Sequence, residues 1–437
     1  KDLRLTPKTR LKAKRTHEKL NSALCDKDSA TSLPIKIGTT VEGPTYRFEK
    51  PIETVNENTD DGVSLITHIS KEYLMQCSDT DIIYNFVLFF EWFNIHGYSK
   101  LVSNPNQLSI FEKISMHAKD SYPIGLNFQI FNNLAKLQIT ACNEVLKEGG
   151  RSLELVLKGF YETNLKENYG YPAPIITIPS PDSDYVTKLR TLIPEMDAIV
   201  KHYDTFVENG EIDLELIAIS KPLPVTNGRS LLKIRNVYTT SNKSCEIYHI
   251  CYCLFSDQTL LSYVDPYKDL HYSRLYDLMI HEQVNYSMYE EHQKPSIDYL
   301  LDKGIILLDG DKNLKFANNN QISIFFNIWK YKVISYWNSP ATIRNEINIM
   351  LDKGWLESDN YLLSRQEQDW FSYYLNNAKF TNGPTIRNIF EHGANTAIKE
   401  PELMMMYNTV LMLLLTLLYK IDLDLRLASM AKVLNSK

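Results

Sequence analysis

Residues 383–393 read Gly-Pro-Thr-Ile-Arg-Asn-Ile-Phe-Glu-His-Gly, and they hold the side chains needed to break a phosphodiester without a metal. His392 can take or give a proton near neutral pH. Arg387 offers a rigid fork of donors to phosphoryl oxygens. Asn388 can orient His392 or the scissile phosphate. On an α-helix Asn388 and His392 are four apart and share a face. Arg387 and His392 are five apart, about 140° around the helix, and do not stack. They can still flank a phosphate at the helix start, where open amides and the helix dipole favour an anion. Gly383 can cap such a helix and Pro384 suits its first turn. Gly383, Thr385, Glu391 and Gly393 complete the candidate substrate contacts. The plainer reading of the same residues is an Arg387–Glu391 pair on a solvated helix, followed by a helix break at His392-Gly393.

Arginine followed by histidine after four to six residues carries little information by itself. With 13 Arg and 10 His among 437 residues, chance supplies on the order of one such match. Three occur: Arg10/His17, Arg274/His281 and Arg387/His392. Only the third has Asn after Arg and Gly after His. That pattern is expected by chance in roughly one chain in a thousand of this size. Arg344-Asn345 repeats the first half, but Ile349 stands where His would fall. His281-Glu282 with His292 lacks the second His at the fourth position that a zinc-binding helix needs, since 285 is Asn. No Walker-type loop and no Gly-x-Ser-x-Gly elbow is present.

The string Arg387-Asn388-x-x-x-His392-Gly393 resembles the RNxxxHG signature of the HEPN superfamily. The resemblance covers the C-terminal helical segment, taken as 341–437. It implies a helical domain whose two copies face each other across a two-fold axis to form a composite site. It implies endoribonuclease chemistry with no metal or other cofactor, RNA (tRNA among the candidates) as substrate, and a cytoplasmic setting in phage defence or a toxin–antitoxin-like system. An antitoxin or activator would be a further partner. Many HEPN domains are inactive scaffolds, so a catalytically inactive HEPN/winged-helix dimer that binds nucleic acid or regulates is the alternative.

The elements that position this string read as mainly α, α+β overall. Residues 1–62 are expected to form a basic arm (eight Lys/Arg among the first 20 residues) and an irregular segment. Residues 63–210 are expected to form a helical domain, with helices near 82–93, 127–147 and 183–208. Segments 212–220, 230–239, 246–255 and 259–264 are rich in Ile, Val, Leu and Tyr, separated by turn residues, and predict a small antiparallel sheet within 211–270. Residues 271–340 are expected to hold a winged-helix-like unit: a short helix ending at Gly304, strands 305–308 and 314–316, and a turn between them. Its helix carries Asp298, Asp302 and a single Lys, a poor charge pattern for DNA. The Leu300–Gly304 and Met350–Gly354 endings look alike and read as shared cap chemistry. Helices are expected at 343–353, 365–377, 384–396 and 401–421.

Composition limits partners. Net charge is −6 with pI near 6.0, so a wholesale basic footprint for nucleic acid is absent and RNA must be met by a local patch. The six cysteines form no CxxC pair and read as reduced thiols, with Cys251 and Cys253 on one side of a strand. The apolar run Leu403–Leu418 is short for a bilayer span and reads as a buried core or dimer-interface helix, with no membrane partner.

Overall fold

The computed structural model describes residues 35–43, 46–59, 62–104, 108, 120–391 and 398–435. The basic arm, Arg10/His17, Cys25, His392 and Gly393 lie outside the described residues. Helix dominates, with strand confined to small sheets.

The segment read as irregular contains strands. β1 (Ile35–Glu42), β2 (Ile52–Thr59) and β3 (Gly62–Ser70) form one sheet in the order β1-β3-β2. β1 runs parallel to β3 and β2 antiparallel to it. On one face Ile52, Thr67 and Ile69 are fully buried. The polar residues of β2 (Glu53, Asn56, Glu57) therefore belong to strand and not to loop, which hid the strand in the sequence. Helices follow: α1 (Lys71–Gln76), α2 (Asp79–Leu88), α3 (Leu126–Glu148), α4 (Leu153–Gly159), α5 (Leu165–Tyr169), α6 (Tyr185–Asn209) and α7 (Leu214–Ile219). Their ends obey capping chemistry. Ser78 and Asp81 form a capping box on α2, and Asp184 caps α6.

The sheet expected within 211–270 is not there. Its one strand is β4 (Asn236–Thr239). Segment 246–255 lies in helix α8 (Ser244–Phe255), which buries Ile247, Ile250, Cys251 and Leu254. That spacing is helical, and it outweighs the β-branched and aromatic composition that suggested strand. Cys251 and Cys253 accordingly point to different sides. β4 pairs instead with two distant strands, described next.

The next stretch runs α9 (Leu275–His281), α10 (Lys294–Asp302), β5 (Ile306–Leu308), β6 (Leu314–Phe316), α11 (Asn319–Tyr331), β7 (Ile334–Ser335), α12 (Ala341–Asp352) and β8 (Leu356–Asp359). The expected short helix and antiparallel hairpin are present. The likeness of the two Asp-Lys-Gly endings reaches well beyond the caps. Helix ends fall at 281 and 331 and again at 302 and 352, and left-handed glycines at 304 and 354. Leu275 matches Phe325, Val284 matches Ile334, Ile297 matches Ile347 and Leu300 matches Met350, all buried in one shared second core. The chain thus repeats a helix–helix–strand unit at a constant offset, with a further short strand, β7, between the helices of the second copy only, a correction to the cap-only reading.

The chain closes with α13 (Arg365–Leu375), α14 (Ile386–Glu391) and α15 (Glu400–Asn435). α15 is long and apolar enough to cross a membrane by length and composition, yet most of its apolar window is buried inside the chain's own first core. It also carries charges there. Lys420, Asp422 and Asp424 are fully buried. The Lys420 ammonium lies 2.9 Å from Glu367 Oε2 and donates to the Gly97 carbonyl at 3.0 Å. Burial pushes its pKa down to about 8, against the pull of Glu367. Asp424 accepts from Tyr203 at 2.7 Å and Ser230 at 2.6 Å and lies 3.2 Å from Arg235. Removing the counter-charge by Glu367→Gln is expected to cost about 3–5 kcal/mol in urea denaturation. The double variant Glu367→Gln/Lys420→Met should lose less than the single. Wild-type stability in Glu367→Gln would contradict this.

Candidate functional site

α14 exists because two of its residues must be buried. Ile386 and Phe390 are four apart, share a face and sit in the first core. That burial turns Arg387 and Asn388 toward the boundary with solvent, where both are half-buried. Arg387 reaches α6: its Nη2 lies 2.9 Å from Asp197 Oδ2, with 28% of the arginine side chain exposed. A half-exposed pair contributes little to stability but fixes the direction of the guanidinium fork. Asn388 Nδ2 donates to Asn377 Oδ1 at 3.0 Å. Asn377 lies in the exposed loop after α13. The two residues of the Arg-Asn pair are thus held from two different elements.

The approach to α14 differs from expectation. The helix begins at Ile386, so Pro384 precedes it and does not occupy its first turn. The Thr385 carbonyl accepts from Ile389 N at 3.2 Å, which places Thr385 at the helix start. Its φ is +51°, a conformation that a β-branched residue rarely adopts. Gly383 is buried and does not cap: a Cβ there would lie 1.9 Å from the Tyr373 carbonyl oxygen. It is glycine because the loop passes directly over the backbone of α13, and it offers no surface to a substrate. Asn382 locks the loop from the other side, exchanging hydrogen bonds of 2.9 Å with the amide and carbonyl of Tyr122.

The structure therefore brings Thr385, Arg387 and Asn388 together at one edge. Gly383 lies beneath them. His392, Gly393 and the Glu391 side chain lie outside the described residues. Sequence reasoning missed Asp197 and Asn377. Asp197 lies 190 positions before its partner, and the only available signal was its place on a helix of mixed polarity. The competing Arg274/His281 spacing brackets α9, where His281 is exposed and pairs its own Nδ1 with the Asp277 carbonyl at 2.8 Å. Among the described residues no group of three or more His, Cys, Asp or Glu is placed to hold a metal ion. No protein-family model, no curated protein and no solved structure matches this chain.

The close approach at Gly383 makes a definite prediction. Gly383→Ala should destabilise the protein by about 1–3 kcal/mol, the usual size of an overpacking strain. Thermal and urea unfolding measure it, and an unchanged midpoint would show that the loop does not rest on Tyr373.

Proposed function

We propose that the protein is a metal-independent endoribonuclease of the HEPN type, acting through Arg387, Asn388 and His392. The reading is carried by one observation together with the motif: the Arg387 guanidinium is held in one direction by Asp197 while part of it still faces solvent. A fixed, part-exposed fork with a histidine five positions later in the sequence is suited to a transferring phosphoryl group. In the proposed reaction His392, as neutral imidazole, takes the proton of the RNA 2′-hydroxyl. The 2′-oxygen bonds to phosphorus while the bond to the 5′-oxygen breaks. Arg387 donates to the non-bridging oxygens as charge builds there. The leaving 5′-oxygen gains a proton from an imidazolium, supplied in a two-fold dimer by the second copy. Asp197 is a positioning residue, because it acts through Arg387.

The apolar run of α15 is covered by the chain itself, so the dimer proposed here would be built around α14 and the surface of α6, and not on the apolar face of α15. The place proposed for such an enzyme is phage defence or a toxin–antitoxin-like system in the cytoplasm, with an antitoxin or activator as partner. A second reading is a non-catalytic nucleic-acid-binding or regulatory module, and the repeated helix–strand unit favours it. Against DNA contact, Lys303 is held by Glu246 at 2.9 Å and Asp298 accepts from Tyr286 at 2.8 Å, so the candidate recognition helix presents engaged charges.

The test is incubation of the full chain with tRNA and with total RNA in EDTA. Wild type should cut, while Arg387→Ala and His392→Ala should slow cutting by roughly 100-fold or more. Asp197→Ala should slow it by roughly tenfold, the smaller loss expected of a residue that only positions Arg387. The same variants should relieve any toxicity on expression. Intact RNA together with no toxicity, or variants that cut like wild type, would reject the ribonuclease reading in favour of the second.

A further inference from the structure

A cavity of about 460 Å³ opens between the first core and the end of α11, beside the small cluster of Tyr98, Tyr238 and Val333, away from α14. Its walls come from the turn and start of β2, Leu65 of β3, the segment from the end of α2 to Asn104, α3, the end of α11 and the residues just after it, and the start of α13. That size lies within the range of about 300–1,000 Å³ typical of small-molecule sites.

Its chemistry is two-sided. Lys50, Lys100, Lys330 and Lys332 all line it. Lys100 is paired with Glu91 at 3.0 Å. Glu367, the deepest acid of the wall, is already neutralised by Lys420. Among the described lining residues four lysines face Glu53, Glu91 and Glu367, and Lys420 offsets Glu367 from behind, so the balance is positive. Phe89, Trp92, Leu101, Phe131 and Leu134 supply an apolar wall, and Leu88 and Phe131 leave 65% and 44% of their surface exposed at its edge. A cavity lined by both lysines and exposed rings and aliphatic carbon fits a ligand with both an anionic and a flat apolar part.

Three further observations point to a ligand. Ser103 is 7% exposed, lines the cavity, and its Oγ has no hydrogen-bond partner among the described residues. Gln366 Oε1, also in the wall, is buried and unpaired. Such groups cost about 1–3 kcal/mol each when left unmet, so a polar ligand that reaches them gains affinity. Third, Glu91, which lines the cavity, adopts the left-handed backbone at φ +55°. Non-glycine residues in that region collect at functional sites. The floor itself is satisfied, with Trp92 Nε1 donating to Gln138 at 2.8 Å and Gln138 donating to Thr67 at 2.9 Å, so it is a built wall and not a packing defect.

We propose that this cavity binds a nucleoside polyphosphate, with the base against the Phe89–Phe131 wall and the phosphates among the lysines. Lys50 and Lys100 lie beside elements of the first core and Lys330 and Lys332 at the end of α11, so the bound phosphates tie α11 to the first core. The inference does not depend on the ribonuclease reading. Calorimetry and thermal unfolding of the full chain in EDTA test it, with ATP, GTP, adenosine and tripolyphosphate as separate probes. ATP or GTP should bind and raise the unfolding midpoint, with adenosine and tripolyphosphate at least tenfold weaker. Lys50→Glu/Lys330→Glu changes two exposed residues and should weaken nucleotide binding more than tenfold. Lys353→Glu, an exposed lysine outside the cavity, should leave binding unchanged. The proposal is overturned if neither nucleotide binds, if tripolyphosphate binds as tightly as the nucleotides, or if the double variant binds like wild type.

Discussion

The carboxylate of Glu367 is met from four directions at the centre of the molecule. It accepts from the Lys420 ammonium, from the Ser99 amide, and from both the amide and hydroxyl of Ser364. An ammonium and a carboxylate removed from water cost several kcal/mol each, and only close pairing with every remaining donor satisfied brings such a pair near balance. That requirement constrains three elements at once. It sets the depth of α15, the first turn of α13 through its capping box, and the path of the chain at 97–99. Asp424 one turn further along α15 repeats the device toward Tyr203 and Ser230. A helix of mostly Leu and Met could slide or rotate in an apolar core at little cost, whereas one with three buried charges has a single register.

The site inherits this register. α13 is fixed by Glu367, the loop after α13 is fixed by Gly383 against Tyr373 and by Asn382 against Tyr122, and α14 hangs from that loop. Ile386 and Phe390 then set its rotation. Thr385 bears the strain of the junction. The direction of Arg387 thus follows from packing decided elsewhere, and Asp197 only completes it. The cavity beside the end of α11 depends on the same residue, because Glu367 and Ser99 form part of its wall.

Much of the helical framework was legible. Strong stops such as Gly149-Gly150 and the paired Asp-Lys-Gly endings placed helix ends within a few residues, because left-handed glycine and capping act locally. The hairpin 306–316 was legible for the same reason. The sheet at 35–70 was not, since its exposed Glu and Asn dilute the alternation. α8 was misread because Ile, Tyr and Cys favour strands by type while their spacing is helical. Of the candidate site, residue types and order were readable, but Asp197 and Asn377 were not. The cavity was beyond reach, being assembled from stretches near 50, 90, 131, 331 and 366 that carry no motif.

Attack by a 2′-hydroxyl leaves a chemical mark that no metal-dependent hydrolysis leaves. Mass spectrometry of the fragment ends therefore tests the central claim most directly. The account predicts a 2′,3′-cyclic phosphate, or its 3′-phosphate hydrolysis product, on one fragment and a free 5′-hydroxyl on the other. Fragments bearing a 3′-hydroxyl and a 5′-phosphate would contradict it.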